Sequence, residues 1–403
     1  MKKSVWLFFF ALFIFPACAT GAGPAATDEQ QIPFHGQIND PQNQSRVNQP
    51  ELDMKEIEGY INRLDSEIKK SVPELNFRDL LIKLARGEIE LTPVGILQNV
   101  LTCFFREVVA SSALLGKLII LAVICAVLHN LTVAFDRGTT GQLGYIVVYL
   151  VIIGLALGSF ALAVNAGREV VDKMVSFMQA LLPLLLTLLV ALGGVASAAI
   201  FHPVILGTLT VLGTLTKNIV LPLIFFAAVL SIVGNLSPQF RVSHLAGLLK
   251  TVALGILGVF GTIFLGVLAI RGVAGGVGDG IALRTAKFAV DAFIPIVGGM
   301  FSDALEAIIS SSLLIKNAAG IAGMIAVLLI MGLPLLKIIT LALIYKLAGA
   351  LVQPVGEGQV VDCLNDLGSS LMMVFAVVSV VGLLFFFVIA ILVGVSNLTV
   401  MLR

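Results

Sequence analysis

From Leu114 onward the chain alternates long apolar runs with short polar breaks, and the lengths of those runs decide the fold class. Several exceed the roughly 18 uncharged apolar residues that cross a bilayer as a helix. The pattern predicts nine crossings, at about 114–135, 143–165, 174–192, 195–216, 218–236, 251–270, 318–336, 338–353 and 371–395. The breaks between them are read as turns: Asp136 to Gly141, Gly167 to Lys173, Gly193-Gly194, Lys217-Asn218 and Gln239 to Lys250. The fold class expected is an all-α polytopic membrane protein, with a small helical region ahead of the spans.

That region begins after Met1 to Ala19, which has the form of a secretory signal: Lys2 and Lys3, an apolar core from Val5 to Phe15, and Ala17-Cys18-Ala19 as a small-residue cleavage site. Two alternatives stay open, an uncleaved signal anchor and lipidation at Cys18. In every case the adjoining segment is exported. Residues 20–50, rich in Pro, Gln, Asn and Gly, read as a disordered linker. Met54, Ile57, Ile61, Leu64 and Ile68 then share one helical face, and Phe77, Leu80, Leu81 and Leu84 form a second short apolar stripe. Pro93, a residue suited to a first helical turn, opens a third amphipathic helix with Val94, Leu97, Leu101, Phe104, Phe105 and Val108 on its apolar side. It is read as lying along the outer leaflet and feeding the first span. Residues 51–111 together form an exported helical cap on two membrane blocks, 112–271 and 318–403.

Between those blocks lies 272–317, the longest polar interruption. It starts with the glycine-rich run Gly272 to Gly280 and carries Arg284, Lys287, Asp291, Asp303, Glu306 and Lys316. The run has no G-x-x-x-x-G-K-[ST] pattern and no strand ahead of it, so it is not a phosphate loop; a flexible or re-entrant connection is expected. Beyond it, Phe301, Ala304, Leu305, Ile308, Ile309 and Leu313 make an apolar helical face opposite Asp303, Glu306, Ser310 and Asn317. Ser311, Ser312 and Gly320 supply small residues for close helix contact. Around this stretch the prolines repeat. Pro183 and Pro222 lie 39 residues apart, as do Pro295 and Pro334, and Leu221-Pro222-Leu223 matches Leu333-Pro334-Leu335. A duplicated half-domain is one reading and coincidence the other.

Composition agrees with a membrane class: 58% apolar, 12% charged and a net charge of +1, with a mean hydropathy of +1.05. No basic cluster suggests nucleic acid. Cys18, Cys103, Cys125 and Cys363 form no CxxC pair, so neither a disulfide framework nor a metal site is expected. No H-E-x-x-H, no G-x-S-x-G and no intramembrane aspartate pair occurs, and neither an enzyme nor a cofactor is expected.

Ionisable residues inside spans are costly and are therefore functional candidates. His202, before Pro203, is either a solute-facing kink or a hydrogen-bonded histidine in a packed one. Lys346 either pairs with Asp303 or Glu306 or snorkels to the interface. With Arg284 and Lys287 these residues form the candidate path lining or docking surface.

Four runs carry a family resemblance: Phe201-His-Pro-Val-Ile-Leu206, Asn218-Ile-Val-Leu-Pro-Leu-Ile-Phe225, Thr262-Ile-Phe-Leu-Gly266 and Asp279-Gly-Ile-Ala-Leu-Arg-Thr-Ala-Lys-Phe288. Through them, and through the closing Asn397 to Arg403, the chain resembles the stage III sporulation protein AE family of endospore-forming bacteria from about Pro93 to its end. The resemblance implies a protein of the outer forespore membrane, made in the mother cell. It implies membership of a multi-protein channel complex between mother cell and forespore that supports late forespore gene expression. The partners implied are a secretion-type ATPase, ring-forming subunits and a forespore membrane protein. It assigns no residue a role. A substrate-specific small-molecule transporter is the competing expectation. With an exported N-terminal region, nine crossings place the C-terminus inside and the acidic segment Gly356 to Asp366 outside. They also leave Arg271, Arg284, Lys287 and Lys316 outside, against the positive-inside tendency.

Overall fold

A membrane helix must satisfy its backbone internally, so a polar residue within an apolar run is more easily carried on the helix than looped out. The computed structural model, which describes residues 93–134, 139–236, 242–293, 298–354 and 358–401, follows that rule throughout. Its described residues form helices α1 (Pro93–Ala134), α2 (Thr139–Ala191), α3 (Val195–Leu215), α4 (Leu221–Leu236), α5 (Ser243–Phe293), α6 (Gly298–Val352) and α7 (Gly358–Met401). A π-helical turn, Thr216–Val220, joins α3 to α4 without interruption. The all-α membrane architecture is as expected, but the nine expected spans become six among the described residues, because the chain stays helical through Gly167 to Lys173, through Lys217-Asn218 and through Lys337. The expected signal, linker and first two amphipathic helices lie outside the described residues.

Three expected pairs of spans are single helices. Residues 143–165 and 174–192 are both in α2, and 318–336 and 338–353 are both in α6. Residues 195–216 and 218–236 run together through the π turn. The outer-leaflet helix expected from Pro93 is likewise the first half of α1, which does begin at that proline. The glycine run Gly272–Gly280, expected as a connection, is helical and lies inside α5. Lys217-Asn218, expected as a turn, sits in the π turn, for which Pro222 supplies the cause. Proline has no N–H to give the carbonyl four residues back and its ring crowds that carbonyl. One extra residue in the turn lets the Leu221 N–H bond Thr216 O instead. The proline-spaced segments take different paths: after Pro183 the chain turns at Gly193-Gly194, whereas α6 runs on through Pro334 to Val352.

Only one described tip needs a special backbone. Gly193 has φ of +84°, a left-handed conformation that costs glycine little, and it lets α2 reverse into α3. α6 is the axis of the bundle, with 67% of its most apolar window buried against 17% for α1. α7 packs along α6, with α2 and α1 on other sides of α6, and α5 on α7, α4 and α3. Glycines set the closest approaches. Gly320 faces Val393, and Gly382 faces Met331 and Met174, so α6 and α7 meet nearly backbone to side chain. Tyr345 of α6 donates its hydroxyl to Ala156 O of α2 at 3.1 Å, fixing the register at the other end.

The candidate spans in α2 to α7 run 38–45 residues, about 57–68 Å of helix, or twice the roughly 30 Å hydrocarbon core. Six crossings also change the parity. With Pro93 exported, the Met401 end of α7 and the Gly193 turn share its side, and Ala134, Leu236 and Val352 lie on the other. Reporter fusions after residues 193 and 403 are expected to read on the side of Pro93 and those after 137, 240 and 356 on the opposite side; a C-terminal reporter opposite to one at Pro93 contradicts the six-crossing fold.

Candidate functional site: a polar waist and a buried joint

Two groups of polar side chains stand out inside the apolar bundle. The first lies halfway along the helices. Gly167 of α2 faces Val374 and Val378 of α7 and Ile338 of α6, which puts these three helices in one register. Arg168, Glu169, Asp172 and Lys173 follow on α2, Lys217 belongs to the π turn, Lys337 precedes Ile338, and Ser379 follows Val378. Lys217 Nζ pairs with Asp172 Oδ1, tying the π turn to α2, and Lys173 pairs with Glu169 at 2.9 Å. Both pairs are partly exposed, so each contributes at most about 1 kcal/mol. Inside this belt, Arg168 Nε and the hydroxyls of Thr216, Thr340 and Ser379 are buried with no hydrogen-bond partner among the described residues. Buried polar groups of that kind cost stability.

The second group is a joint at the Gly193 end. Asp279 of α5 is 3% exposed, and its two carboxylate oxygens accept from the backbone N–H groups of Ala196 at 3.2 Å and Ser197 at 3.0 Å. These are orphan donors of the first turn of α3, whose N-cap Gly194 has no side chain to offer. A carboxylate from another helix therefore caps α3 at its positive dipole end. Gly275 makes this possible, since a Cβ there would lie 2.5 Å from Ser197 Oγ. One turn beyond Asp279, Leu283 covers Gly193. Gly272, Gly275, Asp279 and Leu283 fall at i, i+3, i+7 and i+11, one face of α5. The glycine run is thus the face on which α5 grips the α2–α3 turn.

Close by, Gly272 packs on Val395 and Ile391 of α7 and Phe201 of α3. On another side of the same α7 segment, Lys316 of α6, fully buried, donates to Leu392 O at 3.1 Å. No carboxylate lies within salt-bridge distance of it among the described residues. A buried lysine held only by a backbone carbonyl is expensive.

Of the six residues singled out from the sequence, His202, Arg284 and Lys346 have described side chains, and these stand on three different helices. His202 is exposed on α3 beside buried Phe201, and Arg284 is exposed on α5 next to Leu283. Lys287 lies in α5, and Asp303 and Glu306 lie in α6; their side chains fall outside the described ones. Lys346 is exposed on α6 and reaches Ser369 Oγ of α7 at 3.3 Å. Its expected pairing with Asp303 or Glu306 is ruled out, because one unbroken helix separates them by roughly 60 Å at about 1.5 Å per residue. Asp279 and Lys316 do not emerge as site residues from the sequence pattern. A helical reading of the glycine run exposes the first, and a span begun at Ser310 rather than 318 contains the second. Among the described residues no cluster of three or more His, Cys, Asp or Glu is placed to hold a metal. The arrangement can fix helices and present charge.

The long α5 and its buried acid sit in the run that carries the resemblance, and comparison with known proteins decides the matter. The family model described as "Stage III sporulation protein AE (spore_III_AE)" matches residues 75–396. The chain belongs to the stage III sporulation protein AE family. It is 40% identical over 403 residues to the Stage III sporulation protein AE of Bacillus subtilis (strain 168), covering 100% of both chains. No solved structure matches. The matched residues include those of the waist and the joint.

The joint makes a direct prediction. Asp279→Ala removes two charge-assisted hydrogen bonds and leaves α3 uncapped. It should cost about 1–3 kcal/mol, read as a lower unfolding midpoint in detergent. Asp279→Asn, which keeps one acceptor, should lose less.

Proposed function

We propose that this stage III sporulation protein AE family member is an integral membrane subunit of the channel or secretion-like complex that joins mother cell and forespore. In this reading it sits in the outer forespore membrane with residues 51–111 exported, and it supports late forespore gene expression and development. It is not an enzyme and uses no cofactor. Its partners are a secretion-type ATPase, ring-forming subunits and a forespore membrane protein, and it contacts no nucleic acid. The observation that carries the reading is the end-to-end likeness to a sporulation protein of the same length. The six apolar helices of a multi-pass protein are what such a subunit needs. Deleting the gene should arrest sporulation after engulfment, with a full-length copy restoring spores; normal spores from the deletion strain contradict the proposal.

A second reading, a small-molecule transporter in its own right, is favoured by one observation. Lys316 is a fully buried lysine in a span, and ionisable groups placed so commonly mark substrate or ion routes. Flux assays on vesicles holding the purified chain alone separate the two. The subunit reading expects no flux above empty vesicles, whereas sustained flux of a small solute without partners supports the transporter.

A further inference from the structure

At one height the bundle shows two opposite surfaces. Gly213 of α3 faces Val175 of α2, and Leu215 of α3 shares an apolar groove with Ile263 of α5. Nearer the Gly193 end, Gly272 and Gly275 of α5 pack on Phe201 and Ser197 of α3. The half of α2 between the waist and Gly193, the whole of α3 and residues 259–281 of α5 therefore stand level. Over that stretch α5 turns Val259, Ile263, Ile270, Val273 and Ile281 outward, each 59–71% exposed. Arg271 is the one exposed ionisable residue among them. In a membrane-spanning bundle such a face belongs against lipid tails.

The outer face of α2 does the opposite. Between residues 163 and 189 its exposed residues are Asn165, Glu169, Asp172, Ser176 and Gln179, and every one is polar. They fall at i, i+4, i+7, i+11 and i+14, a continuous strip about 21 Å long. On the far side of Asn165 the same face changes character within one turn, to exposed Leu162, Gly158, Gly154 and Val151. Pro183, at i+18 on this face, has no N–H, so the carbonyl of Gln179 loses its regular helix donor. Across the hairpin, Thr214 and Asn218 are exposed, and Pro203 removes the donor for Ala199 in the same way. Carboxylates, amides and freed carbonyls find neither donor nor acceptor among lipid tails. Water supplies both.

We propose that water fills this α2–α3 face from the Gly193 end down to the waist, as a hydrated inlet for polar solutes whose floor is the Asp172–Lys217 and Glu169–Lys173 pairs. On that side the hydrocarbon is met only beyond Asn165, while lipid tails stay against α5 at the height of the inlet. Access is from one side of the membrane, because the face of α2 past the waist is apolar. The proposal goes beyond both functional readings and rests on neither, since contact with water is measured on the chain alone and without flux.

The test uses the full-length chain with its native cysteines replaced, reconstituted by itself in phospholipid vesicles. Single substitutions Ser176→Cys, Gln179→Cys, Leu162→Cys and Ile263→Cys each carry a nitroxide label. Relaxation of the label by a water-soluble nickel chelate is compared with relaxation by oxygen, which concentrates among lipid tails. At Ser176 and Gln179 the nickel chelate should act more strongly than oxygen. At Leu162, and at Ile263 level with Ser176, the order should reverse. Oxygen-dominated relaxation at Ser176 and Gln179 puts lipid on the face, and shielding from both reagents puts protein there; either overturns the proposal. Nickel-dominated relaxation at Leu162 or Ile263 overturns it equally, because the inlet then has no floor or this half of the bundle stands outside the membrane.

Discussion

Inside a bilayer no water waits to bond a freed backbone group, and the architecture depends on that constraint. Breaking a helix at Lys217-Asn218 would strand several N–H and carbonyl groups. The chain instead absorbs Pro222 with one π turn and lets Lys217 reach Asp172. The same economy carries Arg168 to Lys173 on α2 and Lys337 on α6. Charges that look like loops between spans become a belt around helices about twice as long as the hydrocarbon is thick.

Once the helices are continuous, contact between them has to come from shape. α6 and α7 supply it along their whole length, with Gly320 and Gly382 receiving side chains from the opposite helix. Register between distant ends is then held by a few polar contacts that lipid cannot replace: Tyr345 to Ala156 O, Asn235 to Asp366 at 3.0 Å, Lys316 to Leu392 O, and Asp279 to the start of α3. The last is the clearest link between sequence and architecture. One acid within a glycine-rich face seats the α2–α3 turn on α5, and a local composition that reads as floppy is a site of close packing.

The class is plain in the sequence, since apolar runs of this length permit little else, and Pro93 marks the start of α1. Ser312 and Gly320 are contact residues, as their small size suggests. Span number is not legible, because hydropathy registers where charge occurs and is blind to whether the backbone turns there. The glycine run misleads for a related reason. Glycine is a poor helix former in water, but in a membrane the close packing it permits offsets that weakness. Asp279 and Lys316 come into view only once the glycine run is read as helix and the span of α6 is begun at Ser310. The pairing of Lys346 with Asp303 or Glu306 fails because polar residues that follow one another along the chain lie far apart on one rigid rod.

The claim on which these conclusions turn is that the mid-chain charges ride on unbroken helices. Single cysteines placed in turn at residues 164–176 of the full-length chain, with labelling by a membrane-impermeant thiol reagent, read this most directly. A continuous α2 predicts labelling that rises and falls with a period near 3.6 residues, with the Gly167 and Val171 positions protected. Uniform labelling of residues 167–173 would mean a loop there, and the six-helix account would be wrong.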